Sequence, residues 1–296
     1  KVIVIGGDIL HGKSIIHAIA QDIMLEFFER YESLKFIVID GNHDLSGKGE
    51  DVVSALRSLR QYRNVKWVSF KETYSESDIL FVPYSPNIVP TIKDNSSKIL
   101  ISHFGLSEGV LNSGISIVSD IRMSDLEGRY ELVLLGHYHK PQEIIRENIN
   151  LYYVGSLIQL DWGEKDDEKR FLVVDSETLD VQSIPISNYR KHIEIKIDGK
   201  NKDASIELAK TAKAAGDYVK MVMTERVDVS DIKDDFNIID RTEVDITNRG
   251  ITSSMSQEDR LKRFLEIKEI PEEKHDAYLK AALEAIDECE EANVIY

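Results

Sequence analysis

Four apolar runs, each closing on polar residues of one chemical kind, constrain this chain more than any other feature. Val2-Ile3-Val4-Ile5 leads into Gly6-Gly7-Asp8, and Phe36-Ile37-Val38-Ile39 leads, past Asp40, into Gly41-Asn42-His43-Asp44. Lys98-Ile99-Leu100-Ile101-Ser102 delivers His103, and Glu131-Leu132-Val133-Leu134-Leu135 delivers Gly136-His137-Tyr138-His139. Runs this short, continuous and rich in β-branched residues suit strands buried on both faces of a parallel sheet. The segment from Ile15 to Tyr31 carries Ile15, Ile16, Ile19, Ile23, Phe27 and Phe28 near helical spacing, so the first two runs frame a strand-helix-strand unit. Open α/β sheets gather their ligands at the C-terminal ends of strands. Asp8, Asn42, His43, Asp44, His103, His137 and His139 are therefore expected along one sheet edge. Any one of these motifs alone reads equally well as a turn, because Gly, Asn and Asp are also the commonest turn formers. The joint pattern is more selective: four of the eight histidines stand at these strand ends. His11, His17, His192 and His275 fall outside the pattern and are expected to be structural.

One Asp, one Asn and three His, with no thiolate, make an oxygen and nitrogen donor set that suits Mn²⁺, Fe²⁺ or Zn²⁺. Asp8 is the one carboxylate of the set placed to bridge two ions, the arrangement that clamps both oxygens of a phosphoryl displacement. His43, beside Asn42 and expected to be steered by Asp44, is placed to stabilise developing charge or protonate a leaving oxygen. Composition limits the partners. The net charge of −16 argues against wrapping nucleic acid by bulk charge, although bound cations invert the field where a phosphate sits. The single cysteine, Cys289, excludes an intrachain disulfide framework and a zinc ribbon. No apolar run approaches bilayer length and no leader is visible, so the expectation is a soluble, intracellular, cytoplasmic protein with no membrane partner.

Further along, Ser46-Gly47-Lys48-Gly49 reads as a flexible loop and Val52 to Gln61 as a short helix with Val52, Leu56 and Leu59 inward. Val65–Val68 and Ile79–Val82 are strand candidates, the second stopped by Pro83-Tyr84-Ser85-Pro86. Phe171–Asp175 and Val181–Pro185 read as a hairpin. From about residue 190 the texture changes: His192–Ile197 and Tyr218–Thr224 alternate with period two around a helix at Ala204–Ala215. Asn248–Ser254 reads as a linker. Two short amphipathic helices follow, one with Leu261, Phe264, Leu265 and Ile267, the other with Tyr278, Leu279, Ala282, Leu283 and Ile286. Two helices this short must dock on something to be stable.

Gly7-Asp8, Gly41-Asn42-His43-Asp44, His103 and Gly136-His137-Tyr138-His139 together resemble successive motifs of the calcineurin-like metallophosphoesterases. Within that group, Gly7-Asp8-Ile9-Leu10-His11 with Lys13-Ser14, and the stretch from Tyr153 to Glu164, are similar to SbcD-type nuclease subunits of DNA double-strand-break repair complexes. The resemblance implies an α/β fold, a metallophosphoesterase-type β-sandwich flanked by helices, over residues 1–189. It implies a small α+β cap that positions DNA over 190–247, and a linker with a helical tail over 248–296 that holds an SbcC-type coiled-coil ATPase. It further implies two divalent ions, Mn²⁺ first with Mg²⁺, Fe²⁺ or Zn²⁺ as alternatives. Asp8 would bridge them, with Asn42, His103 and His137 completing one site and His139 serving the other. His43 would be the catalytic histidine, oriented by Asp44, and the subunit would be a homodimer through helices near Ile15–Tyr31 and Val52–Gln61.

The family pattern begins with an Asp-x-His on an earlier strand, which this sequence lacks. The expectation is that this motif lies upstream of Lys1; the alternative is a protein short of one metal site. The resulting expectation for function is a metal-dependent DNA exonuclease, with endonuclease activity as an option, in repair or recombination. Two alternatives stand beside it: a metallophosphoesterase acting on a small phosphodiester or phosphoprotein, and a non-catalytic assembly subunit.

Overall fold

The computed structural model describes residues 1–12, 15–47, 51–110, 119–242, 255–268 and 270–292, with side chains of 257 and 284–292 outside the description. Lys13-Ser14, Lys48-Gly49, the expected linker Asn248–Ser254 and the Ile286 side chain therefore lie outside the described residues. The chain divides into two compact units, Lys1–His192 and Ile193–Tyr296.

In the first unit β1 (Val2–Ile5), α1 (Ala18–Arg30) and β2 (Lys35–Ile39) form the expected strand-helix-strand unit, with β1 and β2 parallel. Two short strands, β3 (Leu45–Ser46) and β4 (Val53–Ser54), pair antiparallel; the first runs into the expected loop at Ser46 and the second replaces the start of the expected Val52–Gln61 helix. A 3₁₀ helix at Ala55–Gln61 and β5 (Val65–Val68) follow, then β6 (Tyr74–Glu76), β7 (Ile79–Val82), α2 (Ile88–Asp94) and β8 (Ile99–His103). The unit continues with α3 (Met123–Leu126), β9 (Leu132–Gly136), β10 (Gln142–Ile145) and β11 (Asn150–Tyr153), and ends in the hairpin β12 (Arg170–Val174) and β13 (Val181–Pro185).

Two sheets result, one in the order β1-β2-β5 and one in the order β10-β11-β9-β8-β7-β6. Side chains alternate across each strand. Ile37 and Ile39 of β2 meet Phe81, Ile99, Ile101 and Leu132 of the second sheet, so the two sheets pack face to face. Phe36 and Val38 point the other way, onto Met24 and Phe28 of α1 and onto Leu56 and Leu59. Leu100 of β8 and Val133 and Leu135 of β9 likewise cover the outer face of the second sheet, against Ile92 of α2 and Leu126 of α3. Burial on both faces is the reason these strands read as unbroken apolar runs.

Three expectations need correction. β1 is not a buried strand: it is the edge of its sheet and Val2, Ile3 and Val4 remain 37–48% exposed. In α1 the inward face is Met24 and Phe28, while Ile19 and Ile23 stand 76% and 62% exposed and Ile15 and Ile16 precede the helix. Val52, Leu56 and Leu59 are inward as expected, but the short helix is a 3₁₀ turn that begins only at Ala55, so Val52 precedes it.

The second unit holds β14 (His192–Ile197, entered from the first unit's last residue), α4 (Lys202–Ala214), β15 (Tyr218–Met223) and β16 (Asn237–Asp240), in the sheet order β14-β15-β16. Ile195, Ile197, Met221 and Phe236 form its core with Ile206 and Ala209 of α4. Two helices complete it, α5 (Gln257–Ile267) and α6 (His275–Ala292). Ser256 caps α5 by accepting from the Asp259 N–H, and Glu258 and Asp259 stand in its first turn. Leu265 and Leu279 are buried, whereas Phe264 and Tyr278 are about half exposed. Among the described residues no helix is long and apolar enough to cross a membrane.

Candidate metal centre

Parallel pairing of β1 with β2, and of β7, β8, β9 and β11 with one another, points the ends of these strands the same way. The turns that follow can meet only because they are made of glycine. A Cβ on Gly41 would strike the Asp8 carboxylate and backbone, and one on Gly136 would strike the Gly6 carbonyl and the His103 ring. Asp8 and His137, neither of them glycine, adopt positive φ values of 55° and 87°. Such conformations cost on the order of 1–3 kcal/mol and persist where surrounding structure enforces them.

The centre is built around the Asn42 amide oxygen. It lies 3.0 Å from His103 Nε2 and 3.0 Å from His137 Nδ1. His103 Nε2 is also 3.2 Å from the Asp8 carboxylate. The opposite nitrogen, His103 Nδ1, donates to the Gly6 carbonyl at 2.7 Å. In the neutral form of the ring that bond takes its one proton and turns the Nε2 lone pair toward Asp8 and Asn42. In that form His103 Nε2 and the Asp8 and Asn42 oxygens are acceptors facing one another, a corner that a shared proton or a cation would bridge. Burial and the neighbouring His103 push His137 down to about 4. Burial alone would raise Asp8, but its contacts with His103 and His43 hold it below the usual carboxylate value. Asp8, Asn42, His103 and His137, meeting at these distances, form an oxygen and nitrogen donor set of the kind that holds a divalent cation. Separations of 3.0–3.2 Å match the edges, roughly 3.0–3.4 Å, of a coordination polyhedron around an ion at about 2.0–2.2 Å. Among the described residues no group of three or more His, Cys, Asp or Glu side chains stands as a ready cation cage. Asn42 is what completes this one.

His43 and Asp44 are placed differently from one another and from expectation. The His43 N–H donates to Asp8 Oδ1 at 2.8 Å, while its ring Nδ1 is 3.1 Å from the His11 carbonyl and the ring stacks on His11 with centroids 4.9 Å apart. The Asp44 carboxylate turns away from His43 and accepts from the backbone N–H groups of Asp8, Leu10 and Gly41 at 2.7, 3.0 and 2.9 Å. It buckles the β1 and β2 turns together, and the residue that steers His43 is His11. The latter is thus not merely structural, though only its backbone oxygen and its ring face are used. Burial, helped by the negative charges of Asp8 and Asp40, pushes Asp44 up to about 7 against the pull of its backbone donors.

His139 is held outside this hydrogen-bonded group. Its Nδ1 donates to Glu164 Oε1 at 2.8 Å, although it lies close enough to Asp8 and His137 for their charges to be felt. Glu164, with Lys169 at 2.6 Å, was not singled out by the sequence pattern. It closes the stretch that begins at Tyr153, which is the signal that could have found it. Of the remaining histidines, His17 precedes α1, His192 packs edge-on against Trp162 and His275 bonds the Ile270 carbonyl.

A parallel-sheet edge carrying Asp, Asn and His, with no thiolate, is the kind of donor set that holds a divalent metal ion. Residues 1–147 match the family model described as calcineurin-like phosphoesterase. The chain therefore carries a calcineurin-like phosphoesterase domain, and all seven strand-end residues fall within it. It is 24% identical over 189 residues to a protein of invertebrate iridescent virus 6 described as a putative phosphoesterase, covering 58% of this chain and 64% of that one. It is 25% identical over 183 residues to an uncharacterised protein of Acanthamoeba polyphaga mimivirus, covering 55% of this chain and 14% of that one. The chain thus spans less than two thirds of the length of either relative. A solved structure of a hypothetical protein from Pyrococcus horikoshii OT3 superposes over 71% of this chain and 79% of its own, at 16% identity and a TM-score of 0.33.

Proposed function

We propose that this chain is a divalent-metal-dependent DNA nuclease, an exonuclease able also to act as an endonuclease, serving as catalytic subunit beside a coiled-coil ATPase of the SbcC type in repair and recombination. The observation that carries the phosphoester chemistry is the convergence of Asp8, Asn42, His103 and His137 on one point. Asp8, Asn42, His103 and His137 would hold one ion and His139, with Asp8, a second; manganese is the first choice for both. Bound ions would supply positive charge to the phosphate and a water acidic enough to attack it. The chain's own part follows from the bonds described. His43 donates its Nδ1–H to the His11 carbonyl and keeps it, so Nε2 is the ring atom left to work; as the imidazolium, protonated at both nitrogens, it would pass the Nε2 proton to the leaving oxygen and return to the neutral Nδ1–H form.

Support for DNA as substrate comes from the similarity of the Tyr153–Glu164 stretch to SbcD-type subunits, with 190–247 as a DNA-positioning cap. Support for an ATPase partner comes from the half-exposed Phe264 and Tyr278 on α5 and α6. A homodimer is supported on α1 by its exposed Ile19 and Ile23; the buried Leu56 and Leu59 give it no support from the 3₁₀ turn. A net charge of −16 favours the second reading, hydrolysis of a small phosphodiester. The deciding experiment pairs a Mn²⁺ titration with cleavage assays on His43→Ala. Two ions bound per chain and a loss of DNA cleavage of at least about 100-fold are expected. Fewer than two ions, together with unchanged cleavage in the variant, would leave only a non-catalytic assembly role.

A further inference from the structure

Glu164 and Lys169 are both fully buried, at 0% exposure, and form an ion pair at 2.6 Å. Such a pair is weak evidence for stability, because desolvating two charges offsets most of their attraction. Here the pair does more than neutralise itself. Glu164 uses Oε2 for Lys169, for the Ser156 hydroxyl at 3.1 Å and for the Leu160 N–H at 3.2 Å, and reserves Oε1 for the His139 ring at 2.8 Å. Lys169 in turn donates to Ser156 Oγ at 2.8 Å and to the His139 carbonyl at 3.2 Å. That carbonyl also accepts from the Ser156 N–H at 3.0 Å. His139 is thus gripped at its ring and at its backbone by one buried cluster, which lies beyond the end of the family match at residue 147.

We propose that Glu164, fixed by Lys169, is the positioning residue of the metal centre: it holds the His139 proton on Nδ1 and so presents Nε2 as a lone pair to the cation. The inference rests on His139 being a metal ligand. A carboxylate behind a ligating imidazole sets its tautomer and orientation and raises its basicity. Lys169 keeps that carboxylate ionised and stops it from turning toward the ion itself. The structural alternative is that Glu164 exists only to neutralise Lys169.

The test uses the full chain. Nitrogen-15 ring spectra of the metal-free protein, followed upward in pH until the His139 ring has visibly lost its second proton, should show the remaining proton on Nδ1; a proton on Nε2 overturns the proposal without any variant. Mn²⁺ titration of Glu164→Gln should show one of two sites weakened by about 10–100-fold and the other unchanged. Because that variant leaves Lys169 unpaired, the double change Glu164→Gln with Lys169→Met removes both charges together. If the folded double variant binds both ions as the wild type does, the pair is structural and the proposal fails; if the weakened site persists, the positioning role stands. His139→Ala separates the two questions. Unchanged titration in that variant sinks the ligand assignment itself, whereas a lost site there with an intact site in Glu164→Gln sinks only the positioning role.

Discussion

A carboxylate with no access to water has to account for its charge, and Glu164 does so through the His139 ring and the Lys169 ammonium. Burial alone would raise it, but these two bonds outweigh burial and hold it down to about 2, below its ordinary 4.5. A depressed carboxyl stabilises the fold above its unfolded value and loses that contribution as pH falls through the folded one. The metal-free protein should therefore lose on the order of 3 kcal/mol between pH 4.5 and about 2, a limb that urea melts of Glu164→Gln should lack. Asp44 makes a second prediction at this scale. Asp44→Ala leaves three buried N–H groups without acceptors, and at about 1–3 kcal/mol each it should cost 3 kcal/mol or more in urea denaturation. A loss under about 1 kcal/mol would return Asp44 to the role of orienting His43. Asp8, Asn42, His103 and His137 were legible because each follows an apolar strand, a position that has few uses besides turns and ligands. Glu164 and Lys169 sit in an irregular stretch with no periodicity to place them. The hold of His11 on His43 goes through a backbone oxygen, which any residue type supplies and no sequence pattern can flag.

At the level of elements, strands were easier to read than helix faces. The runs Phe36–Ile39, Ile99–Ile101 and Leu132–Leu135 within β2, β8 and β9 are apolar at every position because they are covered on both sides, and that pattern has no competing explanation of the same length. In α1 two apolar stripes compete. Met24 and Phe28 form one, Ile19 and Ile23 another roughly 140° around the helix, and a hydrophobic count cannot say which meets the sheet. The sheet takes the Met24 and Phe28 stripe, with the Phe28 ring edge to face on Phe36 at 5.1 Å. Phe28→Ala should accordingly cost about 3–5 kcal/mol, while Ile19→Glu with Ile23→Glu should change monomer stability by no more than about 0.5 kcal/mol per site. Light scattering on the same double variant tests the dimer: a shift from dimer to monomer is expected, and a wild type that is already monomeric at micromolar concentration removes that proposal. The 3₁₀ turn at Ala55–Gln61 escaped because Leu56 and Leu59, three apart, serve either kind of helix.

For the whole molecule, the first unit has its own sandwich core and all of the strand-end residues, and the second has a separate core. A chain ending at His192 should fold and hydrolyse a chromogenic phosphodiester at a rate within a few-fold of the full chain while losing DNA cleavage. Equal loss of both activities would show that the second unit serves the chemistry and not the substrate. The spacing of the site along the chain has a consequence for how it comes into being. His103 meets Gly6 across 97 positions, His137 meets Asn42 across 95 and His103 meets Asn42 across 61. Contacts this distant must wait for the loops between them to close, so they form late and slowly. A cation added to the unfolded chain finds only neighbouring fragments of the set, such as His137 with His139, and not the assembled group. The ion can reward a finished fold, and in refolding it would serve as the signal that the last parallel strand has docked.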